Sequence, residues 1–123
     1  MADLLNLFNK STSNTGRKAV VGETVVAAAS ETQRLDGYEY FAPETVNWEL
    51  LDPSSHTSFC PWKGVASYYD VVVDGTRYPA CAWTYQDPSQ AAGRIKGHVA
   101  FWRAVKVVKD RTELSSGDGP IHG

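Results

Sequence analysis

Residues 59–67, FCPWKGVAS, bring a thiol, an ammonium and an indole together near the middle of the chain. An imidazole, His56, lies four residues before the thiol of Cys60, and the ammonium of Lys63 lies three residues after it. Cationic neighbours of this kind lower a thiol pKa and make the thiolate that nucleophilic catalysis requires. Cys60, Lys63 and His56 are therefore the candidate catalytic residues, with Cys60 or Lys63 as nucleophile and His56 as base. The competing expectation, which we favour for Cys60, is a packed side chain, because an unpaired cysteine behaves as a small hydrophobe. Pro61 fixes a turn, and Gly64 permits a backbone that a side chain would block. Lys63, between them and beside Trp62, has no packing rationale in the sequence. It is the natural candidate for binding an anion or a carbonyl.

Other chemistries find less support. The two cysteines, Cys60 and Cys81, and the three histidines, His56, His98 and His122, show no CxxC or HExxH spacing, so no metal site is expected. No GxxxxGK[ST] or GxGxxG motif is present to cradle a phosphate. Asp70 and Asp74, four residues apart on one expected strand, would be separated by roughly 13 Å, too far to clamp a metal pair. Asp70 instead suits Arg77 as a diagonal partner across a hairpin, with ligand contact as its second role. No cofactor is expected.

These residues need a scaffold, and the pattern around them is β. Residues 19–30 form two apolar runs broken at Gly22-Glu23, and residues 38–46 alternate aromatics until Pro43 ends the strand. Pro43-Glu44-Thr45 opens a short helical or 3₁₀ turn through residues 46–50. The CPWKG loop follows. After it, residues 65–85 are two β-rich runs joined by Asp74-Gly75, a pair suited to a type I′ turn. The expected register sets Val73 opposite Thr76, Val72 opposite Arg77, Asp70 opposite Pro79 and Tyr68 opposite Cys81. Alternation then places Tyr68, Asp70, Val72, Arg77, Cys81 and Trp83 on one mixed face, while Tyr69, Val71, Val73, Tyr78, Ala80 and Ala82 face the core. Pro79 cannot donate to the ladder and predicts an edge or a bulge. Asp87 as N-cap, Pro88 as first residue and Gly97 as stop predict one helix over residues 88–95. A last strand spans residues 98–108. The expected fold class is thus mainly β: one small domain with a mostly antiparallel sheet of about six strands and one or two short helices.

The chain has 123 residues, 42% of them hydrophobic, which suits a single domain with a full core. Its domain is expected over residues 18–109, between polar flexible tails at 1–17 and 110–123. Within the first tail Leu4, Leu5, Leu7 and Phe8 suit one docking helical turn. That apolar run is short and no cation precedes it, so neither a secretory signal nor a membrane span is expected, and the location is read as cytoplasmic. Twelve basic and 14 acidic side chains leave a net charge of −2, so no nucleic-acid or membrane partner is expected, although a local cationic patch is compatible with that total. The composition leaves room for a homodimer. Of the 4 Trp, 6 Tyr and 4 Phe, all but Phe8 lie between Tyr38 and Trp102, more than one face of a small core needs.

Three blocks, TSFCPWKGVASYY at residues 57–69, AWTYQDP at 82–88 and IKGHVAFW at 95–102, resemble the family catalogued as domain of unknown function 427. The resemblance covers residues 20–108 and implies a small β-rich single domain. The matching positions are Thr57, Cys60, Pro61, Lys63, Gly64, Ala66, Tyr68, Trp83, Tyr85, Pro88, Gly97 and Phe101. Two positions depart from the usual pattern. Trp62 stands where a smaller aromatic is common, and Cys81-Ala82 precedes Trp83 where an acidic residue is frequent, which weakens any mechanism using a carboxylate there. Members often carry a nucleotidyltransferase label, for which these residues provide neither a carboxylate pair nor a phosphate loop.

The expected function is the binding of a small polar or anionic molecule in an aromatic-walled pocket beside the CPWKG loop. Lys63, Tyr68, Trp83, Trp62, Tyr85, Asp70 and Arg77 are its expected ligand contacts. The alternatives are an enzyme using Cys60 or Lys63, and a structural or protein-interaction domain.

Overall fold

The computed structural model describes residues 16–110. The expected tails, with the docking turn at Leu4, Leu5, Leu7 and Phe8, lie outside the described residues except at their inner ends. The first strand, β1 (Arg17–Val21), begins one residue before the expected domain boundary, and the Asp110 amide donates to the Gly16 carbonyl at 2.8 Å.

The architecture is mainly β and antiparallel, as expected, but the described residues form nine strands where about six were expected. β1 pairs with β2 (Thr24–Ala29) across the Gly22-Glu23 turn and, on its other side, with β9 (Lys106–Lys109). β3 (Gln33–Leu35) and β4 (Tyr38–Tyr40) make a short hairpin. β5 (Leu51–Cys60), β6 (Gly64–Val73), β7 (Thr76–Thr84) and β8 (Val99–Phe101) form a four-stranded sheet in that order. Reciprocal backbone hydrogen bonds between Phe41 and Val99, at 2.8 and 2.9 Å, attach the chain after β4 to β8. The 3₁₀ turns at Pro43–Thr45 and Trp48–Leu50 match the expected break after β4.

The second half of β7 and all of β8 are buried on both faces, which is why residues 81–85 and 99–101 are buried without interruption. Phe41, Val71, Ala82, Val99 and Phe101 belong to the larger core, with Val26 and Leu51. Tyr40, Ala66, Trp83, Tyr85, Ile95 and Ala100 form a second cluster. The side of the β6–β7 hairpin expected to be core, with Val71, Val73 and Ala82 buried and Tyr69 and Tyr78 packed against them, does face the larger core.

Four expectations are corrected. Residues 51–60, where no strand was expected, form an edge strand, so the turn shaped by Pro61 and Gly64 closes a hairpin of its own. Their polar, Pro-interrupted composition shows no alternation; the edge of β6 supplies the backbone partners that make them a strand. In the β6–β7 hairpin the register holds at Val73↔Thr76 and Val72↔Arg77 and then shifts at a bulge: Val71 faces Tyr78, but Tyr69 faces Ala82 and Tyr68 faces Trp83. Two extra residues on β7 are an even number, so the faces beyond the bulge are restored. Within the bulge Ala80 takes φ 51°, and Cys81 is buried in the larger core instead of joining the mixed face. The expected helix over 88–95 is a 3₁₀ segment, Gln90–Ile95, that follows Ser89 and is broken at Ala92; Asp87 is not its cap, whereas Gly97, at φ 73°, does end it. Finally, the last strand divides into β8 and β9 because Arg103, at φ 62°, turns the chain from one sheet to another.

Candidate functional site

Two tight turns set the site. Leu35 pairs with Tyr38, so Asp36 and Gly37 are the two loop residues of the β3–β4 hairpin, and both have positive φ, 54° and 85°. Cys60 pairs with Gly64, so Pro61, Trp62 and Lys63 form the β5–β6 turn, closed by the Lys63 amide donating to the Cys60 carbonyl at 3.1 Å. Gly64, at φ 115°, lets the turn press against residues 87–89: a Cβ there would stand 3.4 Å from the Asp87 carbonyl oxygen. Ser89 fastens the contact. Its amide donates to the Lys63 carbonyl at 2.9 Å and its hydroxyl to the Trp62 carbonyl at 2.5 Å.

The side chain of Lys63 points inward and is only 7% exposed. Its ammonium bonds and pairs with the Asp36 carboxylate and lies 5.3 Å and 5.7 Å from the rings of Trp62 and Tyr85. The sequence offered no packing rationale for this lysine; the structure provides one in Asp36. Burial alone would lower the Lys63 pKa, but Asp36, helped by Tyr85 and Tyr40, more than offsets it, and the net shift is upward. The amine is held as an ammonium. It lacks the lone pair a nucleophile needs.

Around this charge a cavity of about 170 Å³ is lined by Lys63 and six aromatic rings, those of Tyr38, Tyr40, Tyr68, Trp83, Tyr85 and Trp102. The rings brace one another. Trp83 takes Tyr38 edge-on at 4.8 Å between centroids, Trp102 edge-on at 5.4 Å and Tyr68 tilted at 6.1 Å. Trp83 Nε1 donates to the Tyr40 hydroxyl at 3.2 Å, the Tyr68 hydroxyl meets Ser58 Oγ at 3.0 Å, and Trp102 Nε1 donates to the Ala80 carbonyl at 2.7 Å. Burial pushes the Tyr85 hydroxyl up to about 12, against a smaller downward pull from Lys63, and burial also raises Tyr40.

Of the expected ligand contacts, Lys63, Tyr68, Trp83 and Tyr85 line this cavity. Trp62 stands outside it, half exposed and stacked near the Lys63 ammonium. Asp70 and Arg77 do not line it. Arg77 bonds Asp70 at 3.0 Å, as the sequence suggested, and also Asp52 at 3.1 Å, while Asp70 Oδ1 accepts the Ala80 amide at 2.8 Å. These bonds, the Ala80 amide first, hold the Asp70 carboxyl below its ordinary value. Of the catalytic candidates, Cys60 is half-buried against the second cluster. His56 is exposed, its ring edge-on to Tyr68 at 4.5 Å.

A family model described as Domain of unknown function (DUF427) matches residues 12–111. The chain belongs to the DUF427 family. No curated protein matches it. Among the described residues of this DUF427 domain no group of three or more His, Cys, Asp or Glu side chains is placed to hold a metal, and no helix is long and apolar enough to cross a membrane.

Asp36, Tyr38, Tyr40 and Trp102 were not among the expected site residues of this DUF427 chain. One signal for Asp36 was present. Asp36-Gly37 between QRL and YEY has the same turn chemistry as Asp74-Gly75, and it would have placed a carboxylate at a hairpin tip. Nothing local says that this tip meets Lys63.

Proposed function

We propose that this DUF427 domain is a small-molecule binding module whose aromatic cavity takes one planar ring carrying a polar or anionic group. The observation that carries this reading is the convergence of Lys63 and six rings on one cavity. Its volume of about 170 Å³ resembles the roughly 150 Å³ engineered cavity that holds benzene, and falls below the roughly 300–1,000 Å³ of sites for larger ligands. Aromatic walls stack on a ring or meet it edge-on. An ammonium has three N–H donors, so Lys63 can serve a ligand carboxylate or carbonyl beside Asp36. Because Lys63 is held protonated, binding is better supported than catalysis by that residue.

A series of one-ring carboxylates headed by benzoate tests the reading. Trp83 and Trp102 line the cavity and report occupancy through their fluorescence. Saturable quenching with a raised thermal midpoint is expected, lost in Trp83→Leu and weakened in Lys63→Met. Failure of the whole series to bind, or binding that both variants retain, overturns it.

An interaction role has one observation in its favour. β5 is a sheet edge, and Phe59 and Val65, paired across β5–β6, are 69% and 53% exposed. An apolar pair on an edge strand suits self-association, such as the homodimer for which the composition leaves room. Sedimentation velocity tests it: a dimer that Phe59→Ser dissociates supports this role, and a monomer at all concentrations sinks it.

A further inference from the structure

Next to the aromatic cavity, and sharing Tyr38 and Trp102 with it as walls, is a larger groove of about 450 Å³. Among the described residues its lining includes Arg17, Arg34, Arg103, Lys106 and Lys109, against the carboxylate of Glu39. Five cations in one groove are a local patch on a chain whose net charge is −2. Glu39 serves as a brace. It holds Arg34 at 2.6 Å and Arg17 at 3.7 Å, and its other oxygen accepts the Thr32 hydroxyl.

Three features of the groove point to an anion. Arg17 stands directly opposite Lys109 in the β1–β9 ladder, a like-charge placement that concentrates positive charge on one side of the groove. Arg103, Lys106 and Lys109 make no ion pair with a carboxylate among the described residues. Arg103 also occupies the left-handed region at φ 62°, unusual for arginine, with its guanidinium 4.4 Å from the Trp102 ring. That strain sits at the wall the two concavities share. Trp102 is fixed from the other side by the carbonyl of Ala80, itself left-handed at φ 51°. The groove falls within the usual size of small-molecule sites. Guanidinium forks match phosphate oxygens in pairs, and ammonium groups add point charges.

We propose that the groove binds the phosphate or polyphosphate end of a ligand whose ring occupies the aromatic cavity, so that the two concavities form one site for an aromatic phosphate. The ring half of this proposal rests on the cavity reading above; the groove half stands on its own cations.

Calorimetric titrations of the full chain with inorganic tripolyphosphate, benzoate and phenyl phosphate separate the two halves. Tripolyphosphate should bind at low ionic strength and lose about tenfold or more in affinity at high salt, since the groups are exposed. The variant Lys106→Glu, whose side chain does not line the aromatic cavity, should weaken tripolyphosphate severalfold and leave benzoate unchanged. Lys109→Glu removes the like-charge opposition with Arg17, so it should raise the thermal midpoint while weakening tripolyphosphate, which rules out misfolding as the cause of lost binding. Phenyl phosphate should bind more tightly than benzoate and compete with both other probes. Absence of tripolyphosphate binding, or binding indifferent to these substitutions, overturns the groove. Phenyl phosphate that displaces benzoate but not tripolyphosphate overturns the joining of the two. Tripolyphosphate binding without benzoate binding overturns the ring cavity and the joined site while supporting the groove.

Discussion

The ammonium of Lys63, in the turn between β5 and β6, is paired with the carboxylate of Asp36, in the turn between β3 and β4, across 27 residues of sequence. The two ends are unequally wet: Lys63 is buried, while the Asp36 side chain is 46% exposed. The pair therefore fixes a charge at the edge of the aromatic cavity and joins two hairpins that share no ladder.

Removing either partner should have different consequences. Asp36→Asn keeps the left-handed turn, which asparagine tolerates, but leaves a buried ammonium without its counter-charge. We expect a loss of about 1–3 kcal/mol in urea denaturation at neutral pH. Lys63→Met leaves a carboxylate that water can reach and should cost less. Equal losses would mean that the ion pair is not what holds these turns together.

Alkali should weaken the fold from the cavity outward. Tyr85, pushed up to about 12, and Tyr40 and Lys63, also raised, each hold a proton more tightly folded than unfolded. Their contribution is complete below about pH 10 and is lost as pH rises through the folded values. Denaturation midpoints should fall between about pH 10 and 12, and Tyr85→Phe should flatten the decline by on the order of 2–3 kcal/mol. A decline of unchanged slope in that variant would exclude Tyr85 as its source.

Acid should act on the β7 bulge. The Asp70 carboxyl is lowered by the Ala80 amide first and by Arg77 second, so its contribution is present above its ordinary value near 3.8 and fades as pH falls through the folded one. Asp70→Ala should cost about 1–2 kcal/mol, since it strands the Ala80 N–H. Amide exchange at Ala80 should accelerate selectively. Uniform acceleration along β7 would mean that Asp70 stabilises the strand without fixing the bulge.

Gly64 and Gly75 both have positive φ, but their surroundings differ. A Cβ at Gly75 would meet nothing within 4 Å, whereas one at Gly64 would meet the Asp87 carbonyl oxygen at 3.4 Å. Gly75→Ala should cost about 1 kcal/mol for backbone strain alone, and Gly64→Ala should cost about 1–3 kcal/mol and disturb the Ser89 bonds as well. Comparable losses at the two sites in urea denaturation would show that the approach of residues 87–89 contributes little.

Much of the scaffold was legible in the chain because its causes are local. Asp74-Gly75 fixed the hairpin turn and the pairs Val73↔Thr76 and Val72↔Arg77, and Pro79 marked the bulge. The cross-strand position of Arg77 made its bond to Asp70 foreseeable, and alternation put Tyr68 and Trp83 on one face. The misjudged elements depend on partners far away. Residues 51–60 are a strand only because β6 offers an edge, and residues 98–109 divide only because β1 and β7 compete for their two halves.

The candidate site divides along the same line. Residue types and turn chemistry settled that Lys63 would occupy a tight turn, that Gly64 would close it, and that Tyr68 would share a face with Trp83, since φ/ψ preference and strand periodicity act over a few residues. That Lys63 turns inward to Asp36, that Tyr38 and Tyr40 arrive from another hairpin, and that Trp102 divides the cavity from a basic groove all depend on how separate sheets pack. Such contacts are stabilised by burial and charge pairing across long stretches of chain, and no local preference encodes them.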